Sequence, residues 1–131
     1  MNLQLSLKRQ WFEKTEAGIK PEDYRLPTAY WCNRFLLYEG KIMPKSFWKE
    51  VLLDDCFKSE AENLLYFIRK NIISFQKFTT NIMTLGYPSK TDESRILRYE
   101  HAGIEIRTGN SAWGAEPNKL YFVIKHGKRI K

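Results

Sequence analysis

The chain has 131 residues, with 22 Lys and Arg against 15 Asp and Glu, and its formal net charge is +7. An apolar fraction of 43% is too high for a disordered polyelectrolyte, and the length suits one domain with its own core. No apolar run approaches the roughly 18 residues of a membrane-spanning helix, so no membrane partner is predicted. The positive charge indicates an anionic partner such as nucleic acid, or else serves solubility, and the composition leaves both open.

The first third of the chain predicts a strand, a helix, an extended segment and a second helix. Apolar and polar residues alternate over residues 3–7, which is the period of a strand. A short helix is predicted over residues 9–17, with Gly18 in the left-handed position that often follows a helix. An extended stretch over residues 22–25 and a second helix over residues 28–36 complete this part.

The middle of the chain predicts a pair of helices within residues 43–71. Asp54-Asp55 marks a break between them. Ser59 and Glu62 form a capping box, the pattern in which a Ser side chain and a Glu three residues later satisfy the first amides of a helix. The second helix is therefore predicted to begin after Ser59.

The last third of the chain is predicted to be β-structure. Residues 75–85 are rich in Ile, Phe and Thr, residues 95–107 alternate around a bulge at Gly103, and residues 120–124 form a final strand. Together with the helices, these strands predict an α+β fold, a small β-barrel of about five to six strands with flanking helices. We find no repeat and no linker, so residues 1–131 are predicted to be a single domain.

The cysteines and histidines do not predict a metal site or a cofactor. Cys32 and Cys56 have no CxxC context, and His101 and His126 are far apart in the sequence. The first residues lack the apolar stretch of a signal peptide, so we expect a cytoplasmic protein whose two thiols are reduced. Sequence motifs of nucleotide-binding loops, zinc proteases and serine hydrolases are absent as well.

The segment from Gly18 to Arg25 is the most informative part of the sequence. In an extended strand Asp23 and Arg25 project to the same side, and Lys20 precedes them at a turn stiffened by Pro21. A carboxylate beside an arginine holds the guanidinium in a set direction, from which it can bind a phosphate or a base edge. The alternative is an ordinary solvated turn.

A second segment, from Trp113 to Pro117, indicates an aromatic binding surface. Gly114 and Ala115 leave space above the ring of Trp113, and an exposed tryptophan stacks well on nucleobases. Tyr24 is a further stacking candidate. The alternative is that Trp113 plugs one end of the barrel while Glu116 caps a turn.

These two segments resemble a known family. The pattern Gly18-x-Lys20-x-x-Asp23-x-Arg25 is similar to the GxKxx[DE]xR signature of the ASCH domain, a PUA-like β-barrel family associated with RNA. Further segments are similar to small stand-alone members of this family: Leu5-Ser6-Leu7-Lys8-x-x-Trp11-Phe12, Tyr30-Trp31-x-x-Arg34, and Trp113-Gly114-Ala115-Glu116-Pro117 with the strand that follows.

The resemblance implies a PUA-like fold and an RNA or modified-nucleotide ligand. The sequence also departs from the family pattern in two places. Residues 43–71 are longer than a minimal ASCH domain needs and are interpreted as a helical insertion. Some relatives are amidohydrolases that deacetylate acetylated cytidine with a Lys–Thr–Glu arrangement. Here Lys20 keeps the Lys position, but Asp23 occupies the Thr position, and an aspartate does not replace a hydroxyl nucleophile in simple acyl transfer.

The leading hypothesis is a domain that binds RNA or a modified nucleotide without a cofactor. We expect Lys20, Asp23 and Arg25 to converge on one cleft, with Trp113 at its rim. The ligand-binding candidates are Lys20, Asp23, Tyr24, Arg25, Trp113 and Glu116.

Two alternatives remain open. In the first, the protein is a hydrolase, either an amidohydrolase acting on acetylated cytidine or a ribonuclease. Lys20 would be its general base, and Asp23 or Glu116 its acid partner. In the second, the protein binds a protein partner through an exposed apolar patch on the inserted helices, at Phe47, Trp48 and Leu52.

Overall fold

The computed structural model describes residues 1–53, 59–89 and 91–130. These residues form an α+β fold, as predicted. The strands and helices are β1 (Asn2–Leu7), α1 (Arg9–Glu16), β2 (Glu22–Arg25), α2 (Ala29–Phe35), β3 (Leu36–Tyr38), α3 (Lys45–Leu52), α4 (Glu60–Arg69), β4 (Ile73–Phe75), β5 (Thr80–Leu85), β6 (Ile96–Thr108) and β7 (Leu120–Arg129).

The main sheet has five strands in the order β1-β5-β6-β7-β2, and it curls into a half-barrel. Strands β5, β6 and β7 form an antiparallel meander, β1 joins β5 in parallel, and β2 joins β7 antiparallel. A second sheet pairs β3 with β4. The prediction of a small barrel-like sheet with flanking helices is confirmed at this level.

One side chain links the two edges of the curled sheet. Strands β1 and β2 are the two edge strands of the sheet. Even so, Arg25 Nη2 donates a hydrogen bond of 2.9 Å to the carbonyl oxygen of Ser6. Arg25 lies on β2 and Ser6 on β1, so the open side of the half-barrel is narrow enough for one arginine to cross it.

Several predicted local features are confirmed. Leu3, Leu5 and Leu7 are buried while the residues between them are exposed, which is the alternation expected of β1. The side chain of Ser59 accepts a hydrogen bond from the amide of Glu62, so the predicted cap begins α4. Gly103 has a φ of +110° and lies where the β6–β7 register shifts, as predicted for a bulge.

The predicted strand over residues 75–85 is wrong in one respect, because the structure divides this segment between two sheets. Strand β4 ends at Phe75, and β5 begins at Thr80. Between them, the buried side chain of Gln76 donates to the carbonyl oxygens of Asn33 and Leu36, which lie at the end of α2 and the start of β3. These bonds anchor the crossing from the small sheet to the large one.

The predicted helical pair is present, but its apolar residues do not form an exposed patch. Trp48 is fully buried, Leu52 is buried and Phe47 is half-buried. Trp48 and Leu52 belong to the same apolar core as Leu64 of α4 and Phe122 of β7. The alternative of an exposed apolar patch at these three residues is therefore wrong. The predicted break at Asp54-Asp55 lies outside the described residues.

Cys32 is a buried free thiol in this core, and burial raises its pKa to about 12. Cys56 lies outside the described residues. Within the part of the chain that the structure describes, no helix is long and apolar enough to cross a membrane.

Replacing Trp48 tests whether α3 belongs to the core. We expect Trp48→Ala to lower the free energy of unfolding by about 3–5 kcal/mol, because it removes a fully buried ring. The indole Nε1 has no hydrogen-bond partner within the described ranges, so Trp48→Phe leaves no new unpaired group and is expected to cost less.

Urea denaturation of the two variants measures these differences. Leu53→Ala is the control, because Leu53 is 79% exposed and its truncation should change stability by less than about 0.5 kcal/mol. Equal stability of Trp48→Ala and Leu53→Ala would contradict a shared core.

Candidate functional site

A cavity of about 210 Å³ lies where the end of β1, helix α1, strand β2 and the turn after β6 meet. Five of the six predicted ligand-binding residues line it: Lys20, Asp23, Tyr24, Arg25 and Trp113. We call this cavity the cleft. The predicted convergence of Lys20, Asp23 and Arg25 with Trp113 is therefore present, although their role in binding stays a prediction.

Local backbone chemistry places Lys20 inside the protein. Gly18 has a φ of +76° and ends α1, so the chain reverses direction immediately before Lys20. Pro21 then accepts a hydrogen bond from the amide of His126, which starts the pairing of β2 with β7. As a result, the side chain of Lys20 is only 2% exposed.

Lys20, Asp23 and Arg25 form a chain of buried ion pairs. Lys20 Nζ donates to Asp23 Oδ1 at 3.0 Å and to the carbonyl oxygen of Glu22 at 2.8 Å. Arg25 Nε donates to Asp23 Oδ2 at 2.8 Å. Asp23 is 5% exposed, so the alternative of a solvated charged turn is wrong.

Asp23 is an anion held between two cations. Burial alone would raise the pKa of Asp23, but the charges of Arg25 and Lys20 and their hydrogen bonds outweigh it, and the pKa lies below its ordinary value. Each carboxylate oxygen is bonded to one cation. With Lys8 also at the cleft, three cations face one carboxylate, and the cleft favours an anionic ligand.

Two tryptophans and a tyrosine give the cleft aromatic walls. Lys20 Nζ lies 5.7 Å from the ring centroid of Trp11 and 5.5 Å from that of Tyr24. Trp113 is half-buried and followed by Gly114, whose φ is +99°. A Cβ at Gly114 would lie 2.8 Å from the Trp11 ring, so glycine lets the Trp113 turn approach α1 closely.

A second network, centred on Glu22 and Tyr24, fixes the turn that carries Trp113. Tyr24 donates to Glu22 Oε2 at 2.6 Å, and its hydroxyl oxygen accepts from the amide of Asn110 at 2.9 Å. Burial, together with the bond to Glu22, raises the pKa of Tyr24 to about 12. Arg107 donates to both oxygens of Glu22, at 2.6 and 3.1 Å.

Glu116 does not belong to the cleft, and its prediction as a binding residue is not supported by its position. Its side chain is exposed and pairs with Lys119 at 3.2 Å. The preceding residue, Ala115, is buried, so the chain turns Glu116 outward. A larger cavity of about 630 Å³ lies between Thr28, Ser59 and Lys119, and none of the six predicted residues lines it.

The two histidines, which are distant in sequence, are joined by one buried asparagine. Asn81 Oδ1 lies 2.7 Å from His101 Nδ1, and Asn81 Nδ2 lies 2.8 Å from His126 Nδ1. Asn81 Nδ2 also donates to the carbonyl oxygen of Lys125, which fixes the orientation of the amide. His126 Nδ1 is therefore an acceptor, and the imidazole is neutral.

Burial lowers the pKa of His126 to about 4 and also lowers that of His101. Across residues 1–53, 59–89 and 91–130, no group of three or more His, Cys, Asp and Glu side chains could hold a metal ion.

Comparison with known proteins gives no match among protein-family models, curated proteins or solved structures. The resemblance to the ASCH domain therefore depends on the sequence segments described above.

The buried ion pair gives a test of how strongly the cleft and the fold depend on Asp23. We expect Asp23→Ala to lower the free energy of unfolding by about 3–5 kcal/mol, because Lys20 is left buried without its counterion. The double variant Lys20→Met/Asp23→Ala should be destabilised by less than the sum of the two single variants.

Denaturant unfolding of the wild type, Asp23→Ala, Lys20→Met and the double variant gives the four free energies of this double-mutant cycle. Lys119→Ala is a matched control, since it breaks an exposed pair at the same sequence spacing and should cost less than about 1 kcal/mol. A cost of that small size for Asp23→Ala would contradict the burial of the Lys20–Asp23 pair.

Proposed function

We propose that this protein is a PUA-like barrel of the ASCH type that binds single-stranded RNA, or one modified nucleotide, in the cleft. The observation that carries the proposal is that the buried Lys20–Asp23 pair, the half-buried Arg25 and three aromatic rings meet in one cavity. The curled sheet and the position of the Gly18–Arg25 signature at the cleft support it further.

Hydrogen-bond donors remain available for an anionic or carbonyl oxygen. Two of the three N–H groups of Lys20 are used by Glu22 and Asp23, which leaves one. Arg25 uses Nε and Nη2, and within the described chain its Nη1 has no partner. These donors are pre-oriented by Asp23, so little side-chain entropy is lost when a phosphate or a base carbonyl binds.

The size of the cleft fits one ring system. Its volume of about 210 Å³ is below the roughly 300–1,000 Å³ of pockets for drug-sized ligands. Trp11, Tyr24 and Trp113 offer the flat surfaces on which a base stacks, at about 1–3 kcal/mol per base. A single unstacked base with its phosphate is the ligand of this size and charge.

The hydrolase alternative lacks a second acid or a hydroxyl bonded to Lys20. Among the described residues that line the cleft, Asp23 is the only carboxylate, and both its oxygens already accept from cations. Lys20 Nζ forms an ion pair with Asp23, and an ammonium group has N–H donors but no lone pair. We infer that Lys20 positions a ligand and does not act as a general base.

Binding of a fluorescently labelled RNA hexamer tests the proposal. We expect binding that weakens with salt, by about 0.7 in the log–log slope for each phosphate contact. Trp113→Ala should lose about 1–3 kcal/mol of binding free energy, and Trp113→Phe should keep most of it because a flat ring remains. Fluorescence anisotropy at several salt concentrations gives these values. Absence of binding at low salt would refute the proposal. Unchanged affinity of Trp113→Ala would mean that the RNA binds somewhere other than the cleft.

Hydrolysis of acetylated cytidine is expected to be absent or very slow, because Asp23 stands where catalytic relatives carry a hydroxyl. Chromatographic detection of released cytidine measures it. Rapid turnover by the wild type that is lost in Lys20→Ala would establish the amidohydrolase instead.

A further inference from the structure

A second cavity adjoins the cleft and shares two residues with it. This cavity has a volume of about 280 Å³, and Ser6 and Arg25 line both it and the cleft. We call it the adjoining groove. Because the Arg25–Ser6 hydrogen bond lies between the two cavities, a ligand that leaves the cleft over Arg25 enters the groove directly.

The groove presents aromatic rings and cations without an acid. The guanidinium of Arg34 lies 4.4 Å from the ring centroid of Tyr30, and that of Arg25 lies 4.9 Å from the ring of Trp31. Arg34 is exposed and forms no ion pair with any described residue. The described residues that line the groove include no Asp or Glu.

Two aromatic side chains of the groove are exposed to solvent, and one of them, Tyr87, buries almost no surface. Tyr87 is 96% exposed and Tyr30 is 43% exposed, and both line the same cavity. An aromatic ring that buries almost no surface contributes little to stability. Rings beside a cationic groove are instead the arrangement on which successive bases of a single strand stack.

We propose that the adjoining groove is a second nucleotide subsite, so that the ligand is a single-stranded polynucleotide of at least two nucleotides rather than a free nucleoside. The proposal rests on the proposed function of the cleft. One base occupies the cleft, the phosphate that joins it to the next nucleotide lies at Arg25, and the next base stacks against Tyr87 beside Arg34. Arg34 then binds the second phosphate.

The test compares cytidine 5′-monophosphate with cytidine hexamers of RNA and of DNA. We expect the tighter-binding hexamer to exceed the monophosphate in affinity at least tenfold, and the two hexamers identify the preferred sugar. Arg34→Ala and Tyr87→Ala should each weaken hexamer binding about fivefold or more and leave monophosphate binding unchanged. Arg34→Ala should also reduce the salt slope by about 0.7. Arg69→Ala is the control, because it removes one exposed positive charge that lines neither cavity.

The outcomes separate the two proposals. If neither the monophosphate nor a hexamer binds at low salt, the proposed function fails and the groove fails with it. If the monophosphate binds and both hexamers bind no more tightly, only the second subsite is overturned. Equal effects of Arg34→Ala and Arg69→Ala on the hexamers would overturn it as well, since charge alone would then account for the loss. Thermal melts of all variants exclude unfolding as a cause.

Discussion

The carboxylate of Asp23 lies between Lys20 and Arg25, and both cations depend on it. A buried ammonium group without a counterion costs several kcal/mol, so Lys20 can occupy the floor of the cleft only beside this anion. The same carboxylate directs Arg25 toward Ser6, where it links the edges of the curled sheet. One ionised side chain therefore sets the electrostatics of the cleft and helps to close the half-barrel.

Features with a local cause could be predicted from the sequence. The leucines of β1 alternate because one face of an edge strand is buried, and the glycine at 103 marks a bulge because few other residues adopt its φ. The shared direction of Asp23 and Arg25 follows from the two-residue period of a strand. Their burial was not predictable, since it is produced by α1 and by the turn that carries Trp113.

Features that depend on distant residues were missed. Glu22 and Arg107 are 85 positions apart, and no pattern in either segment indicates that they pair. Trp11 lies in one of the family-like segments, but nothing near it in the sequence predicts that it lines the cleft, where Gly114 packs against its ring. An amphipathic helix such as α3 has the same sequence pattern whether it faces a core or a partner, so only the structure placed Trp48 inside.

The parallel pairing of β1 with β5 also constrains how the chain is made. The side chain of Thr79 donates to the carbonyl oxygen of Met1, 78 positions earlier, so β1 has no partner until β5 has left the ribosome. At a synthesis rate of about 5–20 residues per second, the time between the appearance of β1 and that of β5 is on the order of 4–16 seconds. During this interval β1 lacks its partner strand, and its buried face, formed by Leu3, Leu5 and Leu7, lacks the core residues that later elements supply. We expect a nascent-chain chaperone to bind this strand during the interval. The strand then pairs with β5, which belongs to the local meander β5–β6–β7.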